Sequence, residues 1–261
     1  MSGLREQILN ENVKLHRVEA AWYDRIHPEE FNWFEQRRIA ADLRFFRERI
    51  PQEHPCFLDI GCGTGNLFLK LLGSGCRVWG VDISPEMIAV LRGKIPAADA
   101  ARADLTVQPV DEYLEACTVR FDGIVASSVL HHLPDYLQTL RTALGLLKPG
   151  GWIYLTHEPT KEALSPDPFL RKVLWQADNL LYSLFFGRGV PQLEARNYRL
   201  SDYHLYHQFD QDLVARQCRD CGVRVERLSL YSSAMRLGIS CWVDSVLIGS
   251  KRQFSLIGQK Q

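Results

Sequence analysis

Apolar and polar positions along this chain fall into two alternating rhythms. Short apolar runs at Cys56–Ile60, Arg77–Val81, Ala98–Ala103, Phe121–Ala126 and Trp152–Thr156 have the length of strands. Between them, apolar residues recur at three- and four-residue steps, the period of a helix with one buried face. Leu133, Leu137, Leu140, Leu144 and Leu147 form such a stripe, closed by Pro149-Gly150-Gly151. Ser84-Pro85-Glu86 begins another: a hydroxyl N-cap, proline at the first helical position and an acid in the first turn, with Met87, Ile88, Val90, Leu91 and Ile95 as its buried side. Strand and helix alternate in this way through residue 158, which predicts a parallel sheet with helices on both faces and ligands at the carboxyl ends of the strands.

The rhythm differs at both ends. Residues 4–50 predict two helices, one with Leu15, Val18, Trp22 and Ile26 in a stripe, the next with Phe31, Phe34, Ile39, Leu43, Phe46 and Ile50, separated at His27-Pro28. Residues 159–209 are an insertion, apolar at Phe169, Trp175, Tyr182, Phe185 and Phe186 and then polar and Tyr-rich from Asn197 to His207. Placed after the fifth strand, it is expected to overhang the cleft. Asp210 caps a helix over Gln211–Cys221, and Val223–Tyr231 and Cys241–Gly249 read as two β-runs, an antiparallel pair ending the sheet.

The candidate chemistry centres on Leu58-Asp59-Ile60-Gly61-Cys62-Gly63-Thr64-Gly65-Asn66. Glycines at alternate positions between strand and helix let the backbone turn sharply and approach a ligand, and the helix start offers free N–H groups. A dinucleotide fingerprint wants glycine where Asn66 stands, and it has no use for Asp59. A carboxylate there suits a cationic ligand group better than a pyrophosphate. The second strand ends in Asp82, an acid able to accept both hydroxyls of a ribose.

Together these features resemble the class I S-adenosylmethionine-dependent methyltransferases, over roughly residues 55–158. The first motif looks like Leu58–Gly65, the ribose acid like Asp82 in Gly80–Ser84, and the acid after the third strand like Asp104 in Arg102–Leu105. The fourth strand with its loop looks like Phe121–Leu133, and the approach to the fifth like Leu147–Gly151. The resemblance implies a doubly wound, Rossmann-like α/β sheet, mostly parallel, with S-adenosylmethionine as cofactor. It places Asp59, Gly61, Gly63, Gly65, Asp82, Ile83, Met87, Asp104, Leu105 and Ser127 around that cofactor. It lends His131 and His132 the role of base or acceptor-orienting group, and Glu158 that of the acid ending strand five. It makes residues 1–50 a helical lid from which Tyr23 could reach inward, 51–158 with 210–251 the core, and 159–209 a substrate cap.

Composition narrows the acceptor. The 261 residues carry 31 basic and 31 acidic side chains, leaving no net field for a polyanion, so nucleic acid is not an expected partner. The loop Ala126-Ser127-Ser128-Val129 lacks the Asn/Asp-Pro-Pro-aromatic sequence that similar enzymes use on base amines, and no cysteine stands in the loops after strands four or five. With its apolar insertion, the chain is expected to methylate a small hydrophobic or amphiphilic molecule on oxygen, nitrogen or sulfur. A protein or RNA acceptor, or a silent cofactor-binding scaffold, stays open as an alternative. No apolar run of membrane-spanning length and no signal-like N-terminus is present, so stable membrane insertion is not expected and the cytoplasm is the expected compartment. Cys218-Arg219-Asp220-Cys221, without a second pair, is expected to be structural rather than metal-binding. Oligomeric state is not readable.

Overall fold

The computed structural model describes residues 2–186, 200, 204 and 209–261. Seven strands form one sheet in the order β3-β2-β1-β4-β5-β7-β6. They are β1 (Cys56–Ile60), β2 (Arg77–Asp82), β3 (Ala103–Val107), β4 (Phe121–Ser127), β5 (Leu147–Pro159), β6 (Val223–Tyr231) and β7 (Gln253–Lys260). β1 to β5 run parallel, and β7 lies antiparallel between β5 and β6. The winding direction reverses between β1 and β4, which opens a crevice at their carboxyl ends.

Side chains along β1 alternate between two cores, as the two-residue repeat of a strand requires. Leu58 and Ile60 join Ile124, Leu140, Leu144 and Leu256 on one face, while Phe57 joins Phe46, Leu71, Val125 and Tyr154 on the other. The covering helices are α1 (Ser2–Glu19), α2 (Tyr23–Ile26), α3 (Pro28–Phe31), α4 (Trp33–Arg47), α5 (Phe68–Gly73), α6 (Pro85–Lys94), α7 (Val110–Ala116), α8 (Tyr136–Gly145), α9 (Phe169–Phe186), α10 (Gln211–Asp220) and α11 (Gly238–Trp242). Their caps follow the sequence: Ser84 Oγ accepts from Met87 N at 3.2 Å, and Asp210 accepts from Asp212 N at 2.8 Å. α4 begins at Asn32, whose Oδ1 accepts from Phe34 N and Glu35 N.

The N-terminal helices divide between two tasks. Ile39, Leu43, Phe46 and Ile50 bury in the sheet core beside Phe57 and Tyr154, so α4 is a layer of the fold rather than part of a lid. α1 buries Ile8, Asn12 and Glu19, whereas Val18 and Trp22 of the expected stripe are 49% and 36% exposed. Arg5 anchors α1 to Asp111 and Glu112 at the start of α7, and Arg17 pairs with Glu86 in α6. α1 thereby bridges the crevice from one side to the other.

Two further expectations are corrected. The alanine-rich stretch taken for the third strand is a 3-10 helix over Ala97–Arg102, and the strand follows it. Alanine has little preference for a pleated surface, while Leu105, Thr106 and Val107 have more. The apolar run Cys241–Gly249 is not a strand but the end of α11 and a π-helical turn, Val243–Leu247. Asp244 sits inside that run, fully buried, and takes hydrogen bonds from Ser232 Oγ, Ser250 Oγ and Arg171 Nε. The strand partner of β6 is β7, further along the chain, so the core extends past residue 251.

Candidate active site

The glycine turn shapes the floor of the crevice, and its glycines serve different needs. Gly61 has φ +63°, and a Cβ there would lie 2.3 Å from Val129 Cγ2, so the turn packs directly on the loop after β4. Gly65, at φ +100°, would drive a Cβ to within 2.5 Å of Leu91 Cδ1, so a side chain there has no room behind the turn. Gly63, at φ +49°, meets nothing within 4 Å, because the space above it is the cleft itself.

That cleft, about 640 Å³ including its open mouth, is lined by Gly61, Gly63, Asp82, Ile83, Met87, Val110, Ser127, Ser128 and Val129 from the sheet side, with His132 and Leu133 after β4. Leu9, Asn12, His16 and Tyr23 close it from α1 and α2. Asp82 is held by backbone: Gly63 N donates to Oδ2 and Ser84 N to Oδ1, each at 2.8 Å. Each carboxylate oxygen keeps a further lone pair for a ligand hydroxyl. Asp59 lies beneath, 2% exposed, and its Oδ2 has no hydrogen-bond partner among the described residues. Burial, and then the charge of Asp82, pushes its pKa well above the usual carboxylate range. Ser127 Oγ, Asn12 Oδ1 and His16 Nδ1 are likewise buried without a partner among the described residues.

The histidine pair and the acid after β5 are brought together but perform separate tasks. Glu158 is fully buried, and its carboxylate accepts from Val129 N and Leu130 N at 2.8 Å, from His131 N at 3.3 Å and from His131 Nδ1 at 2.8 Å. It therefore shapes the loop after β4 rather than facing an acceptor. His131 is 7% exposed and packs edge-on to Phe209, whereas His132 lines the cleft with its ring 6.1 Å from that of His16. Ser128 beside them has φ +53°, a conformation that non-glycine residues adopt at a cost and that concentrates at functional sites.

The lid is latched. Thr64 Oγ1 and Lys94 Nζ both donate to Asp24 at 2.6 Å, tying α2 to the glycine turn and to α6. Tyr23 lines the cleft, with its hydroxyl 3.4 Å from Glu30 Oε1. Burial, reinforced by Glu30 and Glu19, raises its pKa well above that of a free phenol.

Several expected site residues lie elsewhere. Asp104 is exposed in β3, paired in register with Trp79 near the strand's beginning, because the strand starts later than its sequence suggested. It therefore stands toward the end of the sheet opposite the glycine turn. Leu105 packs against the hydrophobic core near Gly80. Val110, at the start of α7, lines the cleft instead. In the insertion, Trp175 and Phe186 are 51% and 58% exposed and do not line the cleft. The Tyr-rich span from Asn197 to His207 lies outside the described residues apart from Leu200 and His204. Leu9, Asn12 and His16 went unrecognised in the sequence, because the cleft-facing side of α1 mixes apolar with polar residues and has no clear hydrophobic period.

The family profile described as a methyltransferase domain matches residues 31–200. A ubiquinone biosynthesis O-methyltransferase of Xanthomonas campestris is 33% identical over 114 residues, 44% of this chain and 47% of that protein. The protein of the same name from Thiobacillus denitrificans is 30% identical over 114 residues, 44% of this chain and 49% of its own. The chain thus spans about half the length of the curated relatives it matches. Among solved structures, the magnesium protoporphyrin IX methyltransferase of Synechocystis with bound SAH superposes with a TM-score of 0.57 at 14% identity, covering 96% of this chain and 100% of that one. A Mesorhizobium loti S-adenosylmethionine-dependent methyltransferase does so with a TM-score of 0.55 at 16% identity, covering 84% and 98%. These two likenesses show a shared fold. With the family profile matched across most of its length, the chain belongs to the methyltransferase-domain family.

Proposed function

We propose that this protein transfers the methyl group of S-adenosylmethionine to a small, amphiphilic acceptor, most readily a hydroxyl. The observation that carries the reading is the pairing of Asp82, preset by two backbone N–H groups to receive a diol, with Asp59, whose buried oxygen lacks a partner beneath the same turn. A ligand bearing both a ribose and a cationic amine satisfies both. Gly63 leaves the floor open for it, and Ile83, Met87 and Val110 offer an apolar face for an adenine ring.

The bound donor supplies an already electrophilic methyl group, so the protein's own work is placement and exclusion of water. α1 and α2 form the wall that excludes water. His132, supported by the loop that Glu158 shapes, is placed to accept a proton from an acceptor hydroxyl, a contribution of about 100- to 10,000-fold in such reactions. Glu158 and His131 position that loop, and Asn12 and His16 offer polar atoms to orient the acceptor. The names of the matched relatives, which refer to O-methylation in ubiquinone biosynthesis, support an oxygen acceptor.

Calorimetric titration with S-adenosylmethionine and separately with NAD and NADP tests the cofactor. Binding of the methyl donor alone is the expected result, and binding of a nicotinamide cofactor instead would overturn the reading. For the acceptor, labelled methyl should be transferred to catechol- and phenol-bearing amphiphiles, and His132→Ala should lower that rate about 100-fold or more while leaving donor affinity unchanged.

A further inference from the structure

α9 is built inside out. Its inward face carries charge: Arg171 and Asp178 are 5% and 1% exposed. Arg171 Nε donates to Asp244 Oδ2 at 3.1 Å, and Asp178 accepts from Arg236 N and Leu237 N at 2.8 and 3.0 Å, at the entry to α11. Turning the helix over would strand two buried charges without their partners, which costs far more than an exposed leucine. Its apolar side chains are consequently held outward, with Phe169 78%, Leu180 62% and Leu184 66% exposed. At 3.6 residues per turn, Phe169, Val173, Leu180 and Leu184 fall on one side, and Lys172, Gln176, Asn179 and Ser183 on another. The adjoining α11 and π-helical turn also expose Ile239 and Val246, at 56% each. An apolar surface of this kind marks an interaction site.

Charge identifies the occupant. In residues 168–186 and 234–251 the acids are Asp178 and Asp244, both buried and bonded, while Lys172, Arg236 and Lys251 are exposed. The accessible charge of both segments is thus entirely positive. A second copy of the chain docking through the same face would bring like charges together across the two-fold axis. An anionic lipid surface meets both features, accepting the apolar side chains below its headgroups and the cations among them. No described helix is long and apolar enough to cross a membrane, which is consistent with one that lies on it. We infer that α9, with α11 beside it, is a docking face for a lipid bilayer carrying anionic headgroups. Tyr182 Oη donates to Arg25 O at 3.4 Å, so the docked helix touches the lid beside Tyr23.

The test is flotation of the full chain with vesicles of phosphatidylcholine alone and of phosphatidylcholine mixed with phosphatidylglycerol. The expected result is binding to the mixed vesicles that weakens with salt, falls about tenfold or more in a Leu180→Gln/Leu184→Gln double variant and falls about fivefold in Lys172→Gln. Both variants should keep the wild-type melting temperature and methyl-donor affinity, since none of these residues lines the cleft. Absence of wild-type binding, or equal binding to both kinds of vesicle, would overturn the inference. So would concentration-dependent self-association that the leucine variant abolishes without any vesicle binding, because that outcome assigns the face to a second copy.

Discussion

The two walls of the cleft are finished in different ways. On the sheet wall, Asp82 and Glu158 are filled by N–H groups from Gly63, Ser84, Val129 and Leu130, so the turn and the loop hold their shape without a ligand. On the helical wall, Asn12 Oδ1 and His16 Nδ1 are buried without partners among the described residues. Buried polar atoms are rarely left unpaired, and the cost of leaving them so is recovered when something binds. One wall is thus preorganised, whereas the other waits for its complement. Asp59, beneath the glycine turn, shares with the helical wall a buried oxygen that has no partner among the described residues.

The largest expected effect breaks the preorganised wall. Asp82→Ala removes the diol acceptor and orphans the amides of Gly63 and Ser84 together, and donor affinity should fall by about 3 kcal/mol, more than a hundredfold. Titration calorimetry on the folded variant measures it, and an unchanged Kd would refute the assignment of the ribose site. Glu158→Ala should cost about 2–3 kcal/mol of stability in urea melts, since it strands amides of Val129, Leu130 and His131 in the interior.

Asp59→Asn sharpens the contrast, because its two consequences have opposite signs. Donor affinity should drop about tenfold or more with loss of the charge-assisted contact. Ligand-free stability should rise. An acid whose folded pKa lies above its ordinary 3.8 loses stability as pH climbs from that value toward the raised one, so the variant's advantage in melting temperature should widen over that span. A variant that melts lower than wild type at neutral pH would contradict this account of Asp59.

The smallest effect concerns the N-terminal helices. Burial disfavours the charged form of His27, but hydrogen bonds to Glu19 and Glu29 prevail and raise its pKa to about 10. A raised histidine stabilises fully below its unfolded pKa of 6.5, and the contribution is lost as pH rises toward 10. Thermal melts should decline across that window in wild type, and His27→Gln should flatten the decline. Identical slopes in the two proteins would remove His27 from the lid's energetics.

What the sequence disclosed follows the same division. The glycine turn, Asp82 and the Ser84 cap are local devices, written within a few residues of where they act, and the structure places each of them at the crevice or beside it. α1 was legible as a helix but not in its orientation, because its inward face mixes Ile8 with Asn12 and Glu19, and hydrophobic periodicity points to Val18 and Trp22 instead. The inward face of α9 is ionic, so its apolar residues give no sign in the sequence of which side packs inward. Asp104 was misplaced because an alanine-rich run concealed where β3 begins.

The position of β7 has a kinetic consequence. It pairs Trp152 with Gln259 and Leu155 with Leu256, contacts that close a loop of about a hundred residues, and β6 reaches the sheet only through it. Such distant pairings are slow to form, since the entropy of closing the loop must be spent before any hydrogen bond is gained. Until β7 arrives, β5 is an open edge rich in apolar residues, the kind that recruits strands from other molecules. During synthesis the half of the sheet that carries the glycine turn can assemble early, while the other half depends on a segment that emerges about a hundred residues after β5.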